Sequence, residues 1–245
     1  MNQSRRDRQS AQQRALAEQQ AAQRRRERRL LAAAVIALVL VLVGAGIGFQ
    51  VWRTHRAPSA GTVTPGPSVP VTITDEKPVS WGSAGAPVTV EVYEDFHCPH
   101  CADFEQEYGQ VLADAQTAGT ISLRIFPMSF IDAGSAAAAN GFACAAESGF
   151  GAAFHTGLFA NQNLDWSASQ LDQLAERAVG GPAPAEFSSC VAEDRHAAWA
   201  ESIDAAAAAA GVTGTPALFI DGRSVDITTL TPDSLTTKIE EAAQP

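Results

Sequence analysis

The residues of this chain best suited to covalent chemistry are two cysteines with two residues between them. Cys98 and Cys101 flank Pro99 and His100, so the local sequence reads Cys-Pro-His-Cys. The run 88–93 just before them alternates apolar and polar residues, as a strand does, and a helical pattern begins just after them. A strand that delivers a Cys-x-x-Cys pair to the start of a helix has the geometry of a thiol redox site.

The chemistry that this arrangement predicts is thiol–disulfide exchange, which needs a thiolate that attacks and, in the reverse direction, a thiolate that leaves. The N-terminus of a helix favours negative charge through its unpaired N–H groups and its dipole. We therefore assign Cys98 as the exposed attacking sulfur and Cys101, one turn inside the helix, as the shielded resolving sulfur. His100 is expected to add positive charge and an N–H donor near Cys98. Pro99 suits the first helical turn, where its missing N–H costs nothing.

Two other uses of a Cys-x-x-Cys pair are a zinc site and an inert structural disulfide. Structural zinc usually needs a second pair of cysteines or histidines at similar spacing, whereas Cys144 and Cys190 stand alone in the sequence. In an oxidising compartment an extra pair of cysteines more often forms a bridge. We therefore predict no metal, no separate cofactor, and a structural disulfide between Cys144 and Cys190. His155 and His196 lie among helical alanines and aromatics and are interpreted as surface or capping residues.

The distribution of charge divides the chain into a basic amino-terminal arm and an acidic main part. Residues 1–29 contain nine arginines and three acidic residues, whereas residues 57–245 contain six basic and 24 acidic residues. Nucleic-acid binding relies on a basic face, so the acidic main part argues against nucleic acid as a partner.

Between these parts lies an uncharged apolar run, residues 30–52, which is long enough to span a bilayer as a helix. Five arginines stand directly before it and only Arg53 and Arg56 follow closely. The positive-inside rule then predicts a cytoplasmic amino terminus and an outward-facing main domain. A cleavable signal peptide is the competing interpretation. The run is longer than a usual signal-peptide core and residues 48–52 make a poor cleavage site, so we expect an uncleaved anchor.

The sequence therefore predicts four regions. They are a basic cytoplasmic arm at 1–29, a transmembrane anchor at 30–52, a proline- and glycine-rich linker at 53–70, and a catalytic domain at 71–245.

The periodicity of the domain predicts a βαβ unit, then a helical block at about 132–210, then ββα. Strand, helix and strand in succession give parallel strands, so removing the block leaves a small mixed sheet with helices on both faces. The predicted elements are strands at 69–74 and 88–93, a helix from Pro99 to Gly119, a strand at 121–126 closed by Pro127, helices near 132–147, 150–161, 167–179 and 184–210, strands at 217–220 and 223–227 around a turn at 221–222, and a helix from about 231 to 243.

This order, with Cys-Pro-His-Cys at the first helix and Gly214-Thr215-Pro216 before a later strand, resembles the thioredoxin superfamily. More narrowly, it is similar to the DsbA-like branch, which carries a helical insertion at this place. The resemblance covers about residues 70–245 and includes the segments 85–90, 94–101 and 211–222. It implies an α/β, thioredoxin-like fold with an inserted helical subdomain, here preceded by a single transmembrane helix, and extracytoplasmic disulfide chemistry.

The resemblance also gives roles to Thr215 and Pro216. It implies a cis bond between them and places their loop against the active cysteines, where the backbone of Thr215 pairs with an incoming peptide. It further implies a buried acid six residues before the first cysteine, which helps to move protons to the second, but this position holds Val92. We expect Glu91 and Glu94 to point to the other face of the strand and transfer the role to neither.

The predicted function is that of an extracytoplasmic oxidase that donates the Cys98–Cys101 disulfide to reduced or unfolded secreted proteins. A membrane quinone-linked partner, DsbB-like or VKOR-like (vitamin-K-epoxide-reductase-like), is expected to reoxidise it. Isomerases of this superfamily usually dimerise through a separate N-terminal domain, for which the linker is too short. An oxidase and a monomer are therefore favoured over a reductase or isomerase. A membrane-tethered peptide-binding (holdase) module is the alternative from another class.

Overall fold

The computed structural model describes Val39, residues 41–45, Gly48, residues 70–83 and residues 85–244, and the chain divides into two compact units, 1–52 and 53–245. In the first unit the described residues are helical, and their apolar side chains at 39 and 41–43 are exposed. No helix among the described residues is both long enough and apolar enough to cross a bilayer. The predicted arm and most of the predicted anchor and linker lie outside the described residues and stay predictions.

The second unit is built on a five-stranded mixed sheet. Its strands in chain order are β1 (Val79–Trp81), β2 (Val88–Asp95), β3 (Ile121–Met128), β4 (Ala217–Ile220) and β5 (Arg223–Val225). The spatial order is β1-β3-β2-β4-β5, with β2 and β3 parallel and the other neighbours antiparallel. The predicted parallel βαβ unit is therefore present.

The helices of the described part lie around this sheet as the resemblance implied. They are α1 (Pro99–Thr117), α2 (Ala133–Glu147), α3 (Gly151–Phe159), α4 (Ala168–Val179), α5 (Ala185–Ala192), α6 (Ala197–Ala209) and α7 (Pro232–Ala242), with a 3₁₀ turn at Ile227–Thr229. α1 connects β2 to β3, and α2 to α6 form the helical insertion between β3 and β4. The prediction of a thioredoxin-like α/β fold with a helical insertion is confirmed.

β2 is the central strand and carries the site. Residues 92–95, at its carboxyl end, are all buried, because β3 and β4 pair with it on both sides and helices pack on the sheet. The turn into α1 follows directly. In α/β sheets the crevice at the carboxyl ends of strands is the usual place for a functional site.

One predicted strand is absent, and two predicted strand ends are wrong. Residues 70–74 form no strand, because Val71 N donates to Ala146 O of α2 and so pairs with the insertion. Pro127 does not close β3, which continues to Met128. The pairing of β1 with β3 ends at Ile125, so Pro127 has no partner in β1 to which a backbone N–H would have to donate. The missing N–H of Pro127 is therefore tolerated within the strand. The strand predicted at 223–227 ends at Val225, where Asp226 accepts from Thr228 N and starts the 3₁₀ turn.

The single helix predicted at 184–210 is two helices, α5 and α6. Asp194 adopts a positive φ of 47°, and Arg195 N donates to Cys190 O, which closes α5. His196 is the first residue of the next turn, and its N–H donates to Asn140 Oδ1 of α2. The left-handed residue at position 194 therefore ends α5 and separates it from α6.

A disulfide joins the first and fourth helices of the insertion. The sulfurs of Cys144 in α2 and Cys190 in α5 are bonded, with a Cα–Cα distance of 5.8 Å. Both residues are buried. The bridge therefore holds the insertion together from within.

Candidate active site

The turn between β2 and α1 places Cys98 at the N-cap of the helix. Cys98 has extended backbone angles, and Pro99 is the first helical residue. Cys98 N donates to Asp95 O at 2.9 Å, while Cys98 O accepts from Cys101 N at 3.1 Å. The Cys98 sulfur therefore belongs to the end of the helix where unpaired N–H groups gather.

Both cysteines are thiols in this structure, and both are well shielded. The exposed fraction is 6% for Cys98 and 0% for Cys101. Cys98 is thus less exposed than the sequence suggested, because the loop at Thr215 lies against it. Burial raises the pKa of the Cys101 thiol far above its usual range, and the Glu94 carboxylate nearby raises it further. Cys101 therefore takes up a proton whenever it leaves a disulfide.

The loop before β4 brings Thr215 to both sulfurs. The Thr215–Pro216 peptide bond is cis. The Cys98 thiol donates to Thr215 O at 3.6 Å, and the Thr215 side chain hydrogen-bonds to Cys101. The loop and the two cysteines thus form one site, in which Thr215 contacts both cysteines.

Asp95 fixes the turn that carries the cysteines. Its carboxylate is buried and accepts hydrogen bonds from His97 N at 2.8 Å, Ser135 Oγ at 2.7 Å and Ile131 N at 3.4 Å. Burial raises the pKa of Asp95, and these hydrogen bonds oppose that change. Since Ser135 belongs to α2, Asp95 also ties the site to the insertion.

Gln162 holds the same turn from a different direction. It lies in the loop between α3 and α4, and its Nε2 donates to Cys98 O at 2.7 Å and to Phe96 O at 3.1 Å. Sequence reasoning missed this residue, because nothing local marks a glutamine in a loop that is distant along the chain.

Beneath the turn lies a buried cluster of Glu94, Glu105 and His155. Glu94 Oε1 and His155 Nε2 share a hydrogen bond, and the Glu94 and Glu105 carboxyls interact directly. Burial raises the pKa of each carboxyl to about 8, although Glu105 as a residue is only partly buried. Burial lowers the pKa of His155. The cluster therefore holds protons on its carboxyls at neutral pH.

The expectations for Glu94 and His155 are wrong. Side chains two residues apart on a strand point to the same face of the sheet, so Glu94 lies on the same face as Val92. Glu94 therefore lies under α1, and the expectation that it points to the other face is wrong. His155 is buried among Trp81, Phe96 and other aromatic rings and pairs with Glu94, so it is not a surface residue.

Within the part of the chain that the structure describes, two groups of side chains have the donor types of a metal site. The ligand atoms of Glu94, Glu105 and His155 lie within 4.8 Å of one another, as do those of Cys144, Cys190 and His196. The first group is already joined by its own hydrogen bonds, and the sulfurs of the second are joined in the disulfide. Their arrangement is explained without an ion.

His100 points into solvent beside a groove. Its side chain is 84% exposed, and its Nδ1 lies 3.9 Å from Asp103 Oδ2. The groove has a volume of about 350 Å³ and runs between α1 and the loop at Thr215 and Pro216.

Comparison with known proteins agrees with this geometry. A family model described as Thioredoxin matches residues 74–241, which is more than half of the chain, and the chain belongs to this family. No curated protein matched the sequence.

Three solved structures show how far the similarity in fold extends. MdbA, a thiol-disulfide oxidoreductase from Actinomyces oris, is 26% identical with a TM-score of 0.57, and the match covers 76% of this chain and 99% of that one. Oxidised DsbA from Mycobacterium tuberculosis is 24% identical, with a TM-score of 0.58 and coverage of 69% and 93%. Oxidised BdbD from Bacillus subtilis is 19% identical, with a TM-score of 0.61 and coverage of 74% and 100%.

Fold, family and the paired cysteines together define the class. The chain is a DsbA-like protein of the thioredoxin fold and a protein thiol-disulfide oxidoreductase.

Proposed function

We propose that this oxidoreductase is an oxidase that donates the Cys98–Cys101 disulfide to reduced or unfolded secreted proteins. The observation that carries the proposal is the placement of Cys98 at a helix N-terminus, opposite the Thr215 carbonyl, with Cys101 buried behind it. A sulfur at a helix N-terminus is stabilised as a thiolate, and this stabilisation favours the reduced form of the pair over its disulfide. Such a pair tends to give its disulfide away.

The reaction proceeds by two exchanges. A substrate thiolate attacks the Cys98 sulfur, the Cys98–Cys101 bond breaks, and Cys101 leaves and takes up a proton. A second substrate thiolate then attacks the substrate sulfur of the mixed disulfide and releases Cys98 as a thiolate. Two electrons pass from the substrate to the protein, and the substrate gains one disulfide.

The substrate is an extended polypeptide segment. Thr215 lies beside the Cys98 sulfur and offers its backbone to a neighbouring strand, as expected for peptide capture by strand addition. Folded proteins seldom expose such a segment next to a free cysteine, so reduced and unfolded chains are the fitting substrates.

The compartment is outside the cytoplasm, with the chain held by a single-pass anchor at residues 30–52 and its amino terminus inside. The uncharged run and the arginines before it support this topology. The Cys144–Cys190 disulfide also supports it, because structural disulfides persist in oxidising compartments. Protease added outside intact protoplasts should digest residues 71–245 and spare 1–29, and the reverse pattern would overturn the topology.

Turnover requires that another protein take the two electrons. A membrane quinone-linked reoxidase, DsbB-like or VKOR-like, meets this need and would reach the site in the plane of the membrane. The protein is proposed to act as a monomer.

The test is oxidative refolding of reduced ribonuclease A by the purified, oxidised full-length chain. The account predicts that ribonuclease activity returns and that Cys98→Ala abolishes this effect. A reductase or isomerase would instead leave reduced ribonuclease unchanged and act on its scrambled disulfides. A holdase would bind the unfolded chain equally well with and without Cys98.

A further inference from the structure

The groove between α1 and the loop at Thr215 has an apolar floor and an acidic rim. Phe104 and Tyr108 of α1 are buried and form the floor with Ile227 of the 3₁₀ turn. The Tyr108 hydroxyl donates to Leu230 O at 2.9 Å, which fixes the floor to the segment before α7. The groove opens next to Thr215, so it begins where a substrate reacts.

The rim carries two carboxylates on one side. Asp103 and Glu107 are four residues apart on α1, line the groove and are exposed, with 79% of the Asp103 side chain accessible. Like charges at this spacing weaken a helix slightly, so helix stability does not account for the pair. Among the described residues that line the groove there is no lysine or arginine, and His100 is the one side chain there that can carry a positive charge.

We propose that Asp103 and Glu107 make this oxidoreductase select polypeptide segments with a lysine or arginine close to the reacting cysteine. The inference rests on the proposed function, because it names the substrate class of the same site. A lysine or arginine side chain suits both parts of the groove. Its alkyl stem covers Phe104 and Ile227, and its cationic head reaches the carboxylates at the rim.

The acidic domain extends the same preference to longer range. Residues 57–245 contain 24 acidic and six basic residues, so the domain repels acidic segments and attracts basic ones before contact. The net negative charge of the domain attracts every basic peptide, whatever the position of its lysine or arginine. The carboxylates of Asp103 and Glu107 act only on a basic side chain close to the reacting cysteine. Variants of the rim separate the two effects.

The test uses the full-length chain with Cys101→Ser, which stops after one exchange. Two peptides differ at one position near their single cysteine, lysine in one and glutamate in the other, and each cysteine is activated as a mixed disulfide with thionitrobenzoate. The Cys98 thiolate attacks the peptide sulfur, the bond to thionitrobenzoate breaks, and thionitrobenzoate leaves as a coloured anion. Mass spectrometry of a competition between the peptides gives the ratio of trapped products.

We expect the lysine peptide to be trapped about five times more than the glutamate peptide at low salt, with a smaller ratio at high salt. Adding Asp103→Asn and Glu107→Gln should remove most of this preference and leave only the small part that the general field of the domain contributes. The matched control, Glu201→Gln with Glu240→Gln, removes the same charge from exposed positions on α6 and α7 and should keep most of the selectivity.

The inference is overturned by a ratio near one in the protein with the intact rim. It is also overturned if the rim variant keeps the full ratio or if the ratio falls equally in the control. The proposed function is read separately, from oxidation of a neutral dithiol peptide by the wild-type disulfide. If that oxidation fails while trapping still favours lysine, the oxidase assignment is wrong and the groove inference stands.

Discussion

The ring of His155 and the carboxyl of Glu94 are joined by a hydrogen bond that lies inside the protein, directly under the redox-active turn. Glu105 of α1 completes the cluster. Three titratable groups in so small a volume are costly to bury unless protons are shared among them. The cluster therefore couples the stability of the domain to pH.

The first prediction concerns Glu94→Gln. In the folded protein the pKa of Glu94 is raised to about 8, so the folded state binds this proton more tightly than the unfolded state. The free energy of unfolding contributed by this group is full below the unfolded pKa and is lost as pH rises to about 8. His155 has a lowered pKa and removes stability only at acid pH. Between about pH 6.5 and pH 8, wild-type stability should fall by at least about 1 kcal/mol.

Urea unfolding of the oxidised protein at several pH values checks this prediction. Glu94→Gln removes the titrating group while keeping the size of the side chain, so its stability should fall less steeply over the same window. Glu201→Gln, an exposed control, should keep the wild-type slope. A wild-type stability that stays constant or rises with pH in this window would contradict the raised pKa of Glu94.

The second prediction concerns Gln162→Glu. The substitution replaces the donor that bonds the carbonyls of Phe96 and Cys98 with an oxygen that repels them, and it leaves both carbonyls without this partner. We expect a loss of about 1–3 kcal/mol in the free energy of unfolding and slower exchange at Cys98. Gln173→Glu is the matched control, because Gln173 is half-buried and its Nε2 donates to Ser169 Oγ in the same helix, away from the redox-active turn. Equal effects of the two substitutions in urea unfolding would refute the positioning role.

The third prediction concerns the bridge between Cys144 and Cys190. It closes a loop of 46 residues, for which the loss of chain entropy in the unfolded state corresponds to about 4 kcal/mol. The double variant Cys144→Ala/Cys190→Ala should unfold at lower urea concentration while its Cys98–Cys101 pair still exchanges disulfides. Mass mapping without reduction that finds Cys144 and Cys190 as free thiols in the native protein would contradict the bridge itself.

The sequence predicted the redox turn because its signals are local. An alternating strand, a proline at the first helical position and the Cys-x-x-Cys spacing all act within a few residues of Cys98. The cis Thr215–Pro216 bond and its position against the cysteines required the family resemblance, since no short-range pattern relates residue 215 to residue 98. Where glycines and prolines separate the helices of the insertion, the predicted helix ends lie close to the observed ones.

The buried cluster was missed for a different reason. Glu94 has the strand parity of Val92, so alternation places both residues on the same face of β2, and the expectation that Glu94 points to the other face was wrong. Its partner His155 comes from the insertion, 61 residues away along the chain. Only the packing of the insertion against the sheet brings a histidine to Glu94, and such packing leaves no periodic signal in the sequence.

The most direct test of the central claim is the reduction potential of the Cys98–Cys101 pair, measured at equilibrium against glutathione. A pair held at a helix N-terminus opposite Thr215 and serving as an oxidase should have a potential above about −200 mV, towards the value of about −120 mV found for DsbA. A potential near about −270 mV, that of thioredoxin, would contradict the account and identify the protein as a reductase.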